Sequence, residues 1–364
     1  MIRLTIVAGA RPNFMKIAPL IHQIQKKQSD KEEISFRLIH TGQHYDKNLS
    51  DTFFEELNIP KPNANLQVGG GTQAEQTAGI MIGFEKELAE NPTDLVIVVG
   101  DVTSTMACSI VAKKATTKVA HIEAGIRSFD LTMPEEINRM VTDSITDYFF
   151  TTSEFANQNL RNAGIENERI FFVGNIMIDS LVNNLTRIEK PALFDELQLS
   201  TKKYFVLTMH RPANVDDKNS LEKYLDNITS FSKDFTVIFP IHPRTKPILA
   251  SIDKSYSNLE VVEPQSYLKF IYLLKHASGI ITDSGGITEE ATYLHVPCIT
   301  LRENTERPET CTLGSNVLVG NNFEALERNI QKIADNDWKD IQIPELWDGK
   351  TAERIINEIL TLDL

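Results

Sequence analysis

The chain has 364 residues, a formal net charge of −13, and 41% hydrophobic and 24% charged side chains. That length holds two domains of ordinary size, and the acidic balance sets the bulk surface against nucleic acid and anionic membrane. No apolar run approaches the roughly 20 residues that span a bilayer. The three cysteines, Cys108, Cys298 and Cys311, are too scattered for a disulfide framework or a zinc site.

The first strand is expected at residues 4–7, with no charged leader and apolar h-region ahead of it, which fits a reducing cytoplasm. Gly9-Ala10-Arg11-Pro12 turns the chain out of that strand, and Ile17, Leu20, Ile21 and Ile24 follow at helical spacing. Strands recur at 34–40, 95–99, 119–123 and 148–151, with helices near 72–88, 103–114 and 135–145. After a strand at 170–173, a polar stretch at 183–203 with Pro191 inside it interrupts the alternation. Strands then resume at 204–208, 236–240, 259–262, 279–282 and 298–301. A last helix at 351–362 puts Ile355, Ile356, Ile359 and Leu360 on one face and must pack on something. Two runs of alternating strand and helix mean an α/β chain of two doubly wound, Rossmann-like parallel sheets facing a cleft. The domains are expected at 1–175 and 176–350.

In such sheets ligands bind at the carboxyl ends of strands, where the strand order reverses, so the strand-end loops come first. Residues 279–290 read Gly-Ile-Ile-Thr-Asp-Ser-Gly-Gly-Ile-Thr-Glu-Glu. The turn of Ser284, Gly285 and Gly286 at a helix start lets backbone N–H groups approach a phosphate with no Cβ in the way. Glu290, one turn in, is placed to accept both hydroxyls of a ribose. The plainer alternative is a Gly-rich strand-to-helix turn of any α/β protein. The first loop supplies Arg11 and Lys16, either cations for a phosphate or surface charges on an amphipathic helix. It is no G-x-G-x-x-G, and Pro12 has no N–H for a pyrophosphate, which argues against NAD.

Carboxylates follow three strand-end positions. Asp101 comes directly after Val99-Gly100 and either points into the cleft or caps the next helix. Glu123 lies deep at a strand end, where an ionised group needs a partner, and Arg127 is the candidate. Glu135, in Met133-Pro134-Glu135-Glu136-Ile137-Asn138-Arg139, is otherwise an ordinary acidic helix start. Together the three suggest acid/base work. In the second domain His210 follows a strand as donor or proton carrier, unless it is satisfied by loop backbone. His242-Pro243-Arg244 and Glu306-Arg307-Pro308-Glu309 end two further strands. Arg11, Lys16, His210, Arg307 and the turn at 284–286 together neutralise a pyrophosphate without metal, so no cofactor is expected. Asp335-Asn336-Asp337 sits among helical charges and reads as surface.

Seven of these motifs occur in the order and at the spacing of a known family: Gly9-Ala10-Arg11-Pro12, Gly100-Asp101, Glu123-Ala124-Gly125, Pro134-Glu135-Glu136-Ile137-Asn138-Arg139, His210-Arg211, Asp283-Ser284-Gly285-Gly286 and Glu306-Arg307-Pro308-Glu309. Over its whole length the chain resembles the non-hydrolysing UDP-N-acetylglucosamine 2-epimerases. The resemblance implies a GT-B-like fold, UDP held mainly by the second domain, a final helix (351–364) crossing back to the first, and a homodimer. It implies catalytic carboxylates at Asp101, Glu123 and Glu135 and a catalytic or UDP-orienting His210. Arg11, Lys16, Arg139, Phe270, Ser284, Gly285, Gly286, Glu290 and Arg307 are expected to bind substrate, Phe270 near the uracil.

The chemistry implied is expulsion of UDP to give a 2-acetamidoglucal, then re-addition with protonation of the other face of C2. A hydrolysing 2-epimerase, a GT-B glycosyltransferase and a non-catalytic nucleotide-sugar sensor are the alternatives. Some bacterial members are activated by a second substrate molecule bound after the second strand. Here that region reads Thr41-Gly42-Gln43-His44-Tyr45-Asp46 and Gln67-Val68-Gly69-Gly70-Gly71, without the arginines of regulated members. The first of these also occurs in relatives acting on diacetamido or uronic acid nucleotide sugars.

Overall fold

The computed structural model describes residues 1–42, 54 and 57–364, except for the side chain of Arg11. Residues 43–46 of the motif just quoted lie outside the described residues, as does whatever the Arg11 side chain does.

The chain divides into two compact units, Met1–Ser180 with Glu345–Leu364, and Leu181–Pro344. The first contains strands β1 (Ile2–Ala8), β2 (Ile34–His40), β3 (Ala64–Asn65), β4 (Leu95–Val99), β5 (Lys118–Ile122), β6 (Tyr148–Thr151) and β7 (Ile170–Phe172). The second contains β8 (Tyr204–Thr208), β9 (Thr236–Pro240), β10 (Leu259–Val262), β11 (Gly279–Thr282), β12 (Cys298–Thr300) and β13 (Asn316–Leu318). The sheet orders are β3-β2-β1-β4-β5-β6-β7 and β10-β9-β8-β11-β12-β13, and the ladders are parallel throughout. The fold is α/β and GT-B-like, with two Rossmann-like sheets.

Apolar runs such as Leu95-Val96-Ile97-Val98-Val99 are buried along their whole length because helices cover both faces of a parallel sheet. In the second unit the two faces separate cleanly. Phe205, Leu207, Val237, Phe239 and Ile281 enter one core, and Tyr204, Val206, Ile238 and Ile280 enter the other. Strand order reverses between β1 and β4 and again between β8 and β11, and each reversal leaves a crevice beyond the carboxyl ends of its strands.

The helix Thr351–Ile359 joins the first unit, although the chain reaches it through the second. Ile355, Ile356 and Ile359 are fully buried, and the helix packs on Arg11–Ser29. The Asp179 carboxylate accepts from the Thr351 and Ala352 amides at 3.0 and 2.7 Å, supplying a helix-start acceptor from a remote part of the sequence. Just ahead, Trp347 is buried and Leu346 passes close to Gly174. Gly174 has φ +98°, and a Cβ there would lie 2.2 Å from the Leu346 carbonyl oxygen.

Candidate active site

At the β1/β4 reversal, Asn13 in the first turn of Arg11–Ser29 clamps the two strand ends together. Its Oδ1 accepts from the Gly9 and Ala10 amides at 3.2 and 3.0 Å, and its Nδ2 donates to the Val99 carbonyl at 3.1 Å. Pro12 costs nothing here, since a first-turn N–H has no intrahelical partner. One turn on, Lys16 Nζ meets Glu123 Oε2 at 2.6 Å, with 14% and 2% of the side chains exposed. Glu123 follows β5 directly with φ +68°, a left-handed conformation that non-glycine residues adopt at a cost. Gly100 makes room for the pair: a Cβ there would lie 3.2 Å from Lys16 Nζ and 3.6 Å from Glu123 Oε2.

Asp101 does not cap the helix Thr103–Lys114, whose start has no side-chain cap. Instead its Oδ2 accepts from Arg139 Nη2 at 2.7 Å and Nε at 3.0 Å, and Asn138 Nδ2 donates to its carbonyl at 2.8 Å. Arg139 also reaches Glu136 Oε2 at 2.5 Å. The adjacent acids of the helix Pro134–Ile145 thus differ. Glu136 is buried and takes the Ser128 and Phe129 amides at 2.9 and 3.1 Å, whereas Glu135 is exposed at the helix start.

Arg127 is not seen paired with Glu123. It donates to Asp143 Oδ2 at 2.6 Å, and Asp143 also takes the Gly125 amide at 3.0 Å and His121 Nδ1 at 2.7 Å. Asp143 is wholly desolvated, which alone would raise its pKa, but His121 and Arg127 hold it below the usual value. Arg127 thus serves Asp143, while Glu123 is met by Lys16. His121 then bonds the Gly100 carbonyl through Nε2 at 2.8 Å, linking the loops that carry Glu123 and Asp101.

In the second unit, the β8/β11 reversal is built on Asp283, which is fully buried at the end of β11. It takes His210 Nδ1 at 2.9 Å and the His210 and Arg211 amides at 3.0 and 2.9 Å, and Asn214 Nδ2 at 3.1 Å. Burial works to raise the Asp283 pKa, but His210 and these donors bring it below 3.8. His210 is thereby oriented by a carboxylate through one ring nitrogen while 45% of its side chain remains exposed. The His242 ring lies 6.2 Å away, its pKa lowered by burial and by His210.

Ser284 precedes the helix Gly285–Tyr293 without capping it, and its own amide bonds Thr282 Oγ1 at 3.0 Å. A Cβ on exposed Gly286 would meet nothing within 4 Å. This leaves first-turn amides uncovered by side chain, a ready anion site. Glu290 is buried deeper in the helix beside Tyr267, and burial pushes its carboxyl up to about 7. Arg307 is buried and its Nε donates to Glu289. Phe270 is half-buried and packs on the core that holds Tyr204 and Ile280. Among the described residues, no group of three or more His, Cys, Asp or Glu side chains is arranged to hold a metal ion, and no helix is long and apolar enough to cross a membrane.

Asp143, His121, Glu136 and Asp283 escaped the sequence reading as site residues. Asp283 had a visible signal, since it follows an apolar strand just as Asp101 does. Glu136 stood in a quoted motif beside Glu135 with nothing to set it apart, and Asp143 had no signal, lying inside a helix among other charges.

Two Rossmann-like units, each gathering polar groups at its switch point, are the frame of an enzyme acting on nucleotide-linked substrates. A sequence model of the UDP-N-acetylglucosamine 2-epimerases matches residues 26–360, and the chain belongs to that family. It is 43% identical over 372 aligned residues to UDP-N-acetylglucosamine 2-epimerase of Methanocaldococcus jannaschii, covering 99% of both chains. It is 38% identical to UDP-2,3-diacetamido-2,3-dideoxy-D-glucuronate 2-epimerase of Pseudomonas aeruginosa, covering 87% of this chain and 88% of that one. A crystal structure of the M. jannaschii enzyme in complex with UDP-GlcNAc and UDP superimposes with a TM-score of 0.86 at 42% identity, covering 98% of this chain and 99% of that one.

Proposed function

We propose that the protein interconverts UDP-GlcNAc and UDP-ManNAc by inverting C2, working as a cytoplasmic homodimer with no metal or nicotinamide. The C2 hydrogen of such a sugar is not adjacent to a carbonyl, so direct deprotonation is prohibitive. Breaking the C1–O bond sends its electron pair to the departing UDP, while the C2 proton passes to a carboxylate and a C1=C2 double bond forms. Re-addition of UDP at C1 and delivery of a proton to the opposite face of C2 complete the inversion. Net consumption of protons is zero.

The observation that carries this reading is the placement of Asp101 and Glu123 at the ends of neighbouring strands, each held by a cation from a different helix. Two carboxylates in distinct environments at one switch point suit a proton that leaves one face and returns to the other. Glu135 is the third acid, near enough in sequence to Arg139 to share its helix. Lys16, Arg11, Arg307, His210 and the amides at Ser284–Gly286 take the negative charge of the leaving diphosphate. Glu290 receives the ribose and Phe270 lies by the uracil. Epimerisation in D2O should place deuterium at C2 of both substrate and product. Turnover without wash-in would end this reading, and free sugar rising in step with UDP would favour hydrolysis.

A second substrate is supported by the P. aeruginosa relative and by the motif beginning Thr41-Gly42. Exchange at C2 assayed side by side on UDP-GlcNAc and on the 2,3-diacetamido uronate ranks the two.

A further inference from the structure

The helix Gly285–Tyr293 and the short helix Pro308–Thr312 bury three carboxyl groups, two of them facing one guanidinium. Glu289, Glu290 and Glu309 are 2%, 4% and 3% exposed, and Arg307 is 8% exposed. Glu289 takes the Arg307 Nε hydrogen, and Glu290 lies beside Tyr267, whose hydroxyl burial and Glu290 together push well above its usual pKa. Glu309 is different: neither of its carboxyl oxygens has a hydrogen-bond partner. The groups that face it are Arg307 at the head of its helix, Glu289 on the neighbouring helix and Cys311 on its own. Glu290 and Tyr267 lie beyond Glu289, and Lys339 caps the far side of Cys311 by donating to its carbonyl at 2.6 Å.

Buried carboxylates crowded together are costly out of water; burial pushes both Glu290 and Glu309 up to about 7, and Glu309 is the one without a side-chain donor. Burial, partly offset by Arg307, pushes the Glu309 carboxyl up to about 7, into the range where a nearby charge can change its protonation. Further negative charge close by tips it toward the acid. The amide-rich start of Gly285–Tyr293 is one turn from Glu289 on the same helix, and the Arg302–Glu306 pair lies 3.6 Å from where a Gly285 Cβ would stand.

We infer that Glu309 is the proton acceptor of this anion socket: when a nucleoside-diphosphate sugar settles at the helix start, Glu309 takes one proton from solvent. The carboxylate becomes a carboxylic acid and no other bond changes. Arg307 and Glu289 then keep their pairing while the site gains the diphosphate charge, so Glu309 is a positioning residue. This rests on the reading above that the second unit holds the diphosphate.

The test is calorimetric titration of the full-length protein with UDP-GlcNAc near pH 7.5, in buffers of differing ionisation enthalpy. The pyrophosphate diester has no group titrating near neutrality, and epimerisation consumes no net proton, so turnover adds nothing to the count. Wild type should show proton uptake, and its Kd should rise with pH above 7, up to about tenfold per unit for a full proton. Glu309→Gln should still bind but lose about half or more of the uptake. Glu290 contributes equally to both proteins, so uptake no lower in Glu309→Gln than in wild type overturns the inference and leaves the proposed function standing. No binding at all would sink both. Should Glu309→Gln fold poorly, a wild-type Kd that is flat with pH overturns the inference by itself.

Discussion

Lys16 Nζ stands 2.6 Å from Glu123 Oε2, with both side chains largely withdrawn from solvent, so the two charges compensate each other. Lys16→Met takes a cation away from a buried carboxylate and is expected to cost about 3 kcal/mol of stability, with kcat/KM falling at least about a hundredfold. Adding Glu123→Gln to that variant should recover much of the stability and none of the activity. Denaturant midpoints of the two single variants and the double variant decide it; additive losses would mean the pair is not coupled.

Asp283 offers a pH-dependent signature. Its folded-state pKa is held below the usual carboxylate value because His210 and backbone amides outweigh the burial that would raise it. The ionised form therefore stabilises the fold above the unfolded value, and that stability is lost as pH falls through the depressed folded value. Asp283→Asn should be less stable than wild type at neutral pH, with the two curves converging in acid. Its kcat should drop about 10- to 100-fold as His210 loses its orientation. Parallel stability curves down to the most acid point measured would refute the assignment.

Gly286 separates fold from ligand. Its φ is not left-handed, and a Cβ would meet open space, so Gly286→Ala should leave Tm unchanged or slightly higher through helix propensity. If a phosphate uses the amides there, the same methyl obstructs it and UDP affinity should fall about tenfold, near 1.4 kcal/mol. Unchanged UDP affinity in this variant would place the phosphate elsewhere.

Gly174 and Leu346 give a prediction about assembly of the first unit. Gly174→Ala introduces a Cβ 2.2 Å from the Leu346 carbonyl at φ +98°. The expected cost is about 2–4 kcal/mol, together with faster proteolysis near Glu345–Lys350 as the returning segment lifts. Equal cleavage rates in variant and wild type would contradict it.

Much of the fold was legible because parallel strands leave long apolar runs: β2, β4, β6, β8, β9, β10 and β11 fall where the hydrophobic pattern puts them. β3 and β13 were missed because two and three residues at a sheet edge carry no periodicity. The strand-end loops were readable from Gly100-Asp101 and Ser284-Gly285-Gly286, since turn residues after an apolar run mark the carboxyl edge. Partnership was not readable. Lys16 and Glu123 are 107 positions apart, and nothing local tells Arg127 to choose Asp143 over Glu123. Both carboxylates are equally buried, so the choice is set by where the packed sheet and helices bring each cation.

The left-handed backbone at Glu123 limits how far this protein can be hardened against heat. Glycine would relax the chain there, and any engineer ranking substitutions by backbone comfort would pick it, deleting the carboxyl group proposed to carry the proton. Thermal robustness has to be sought elsewhere in the molecule, because at this position ease and chemistry pull in opposite directions.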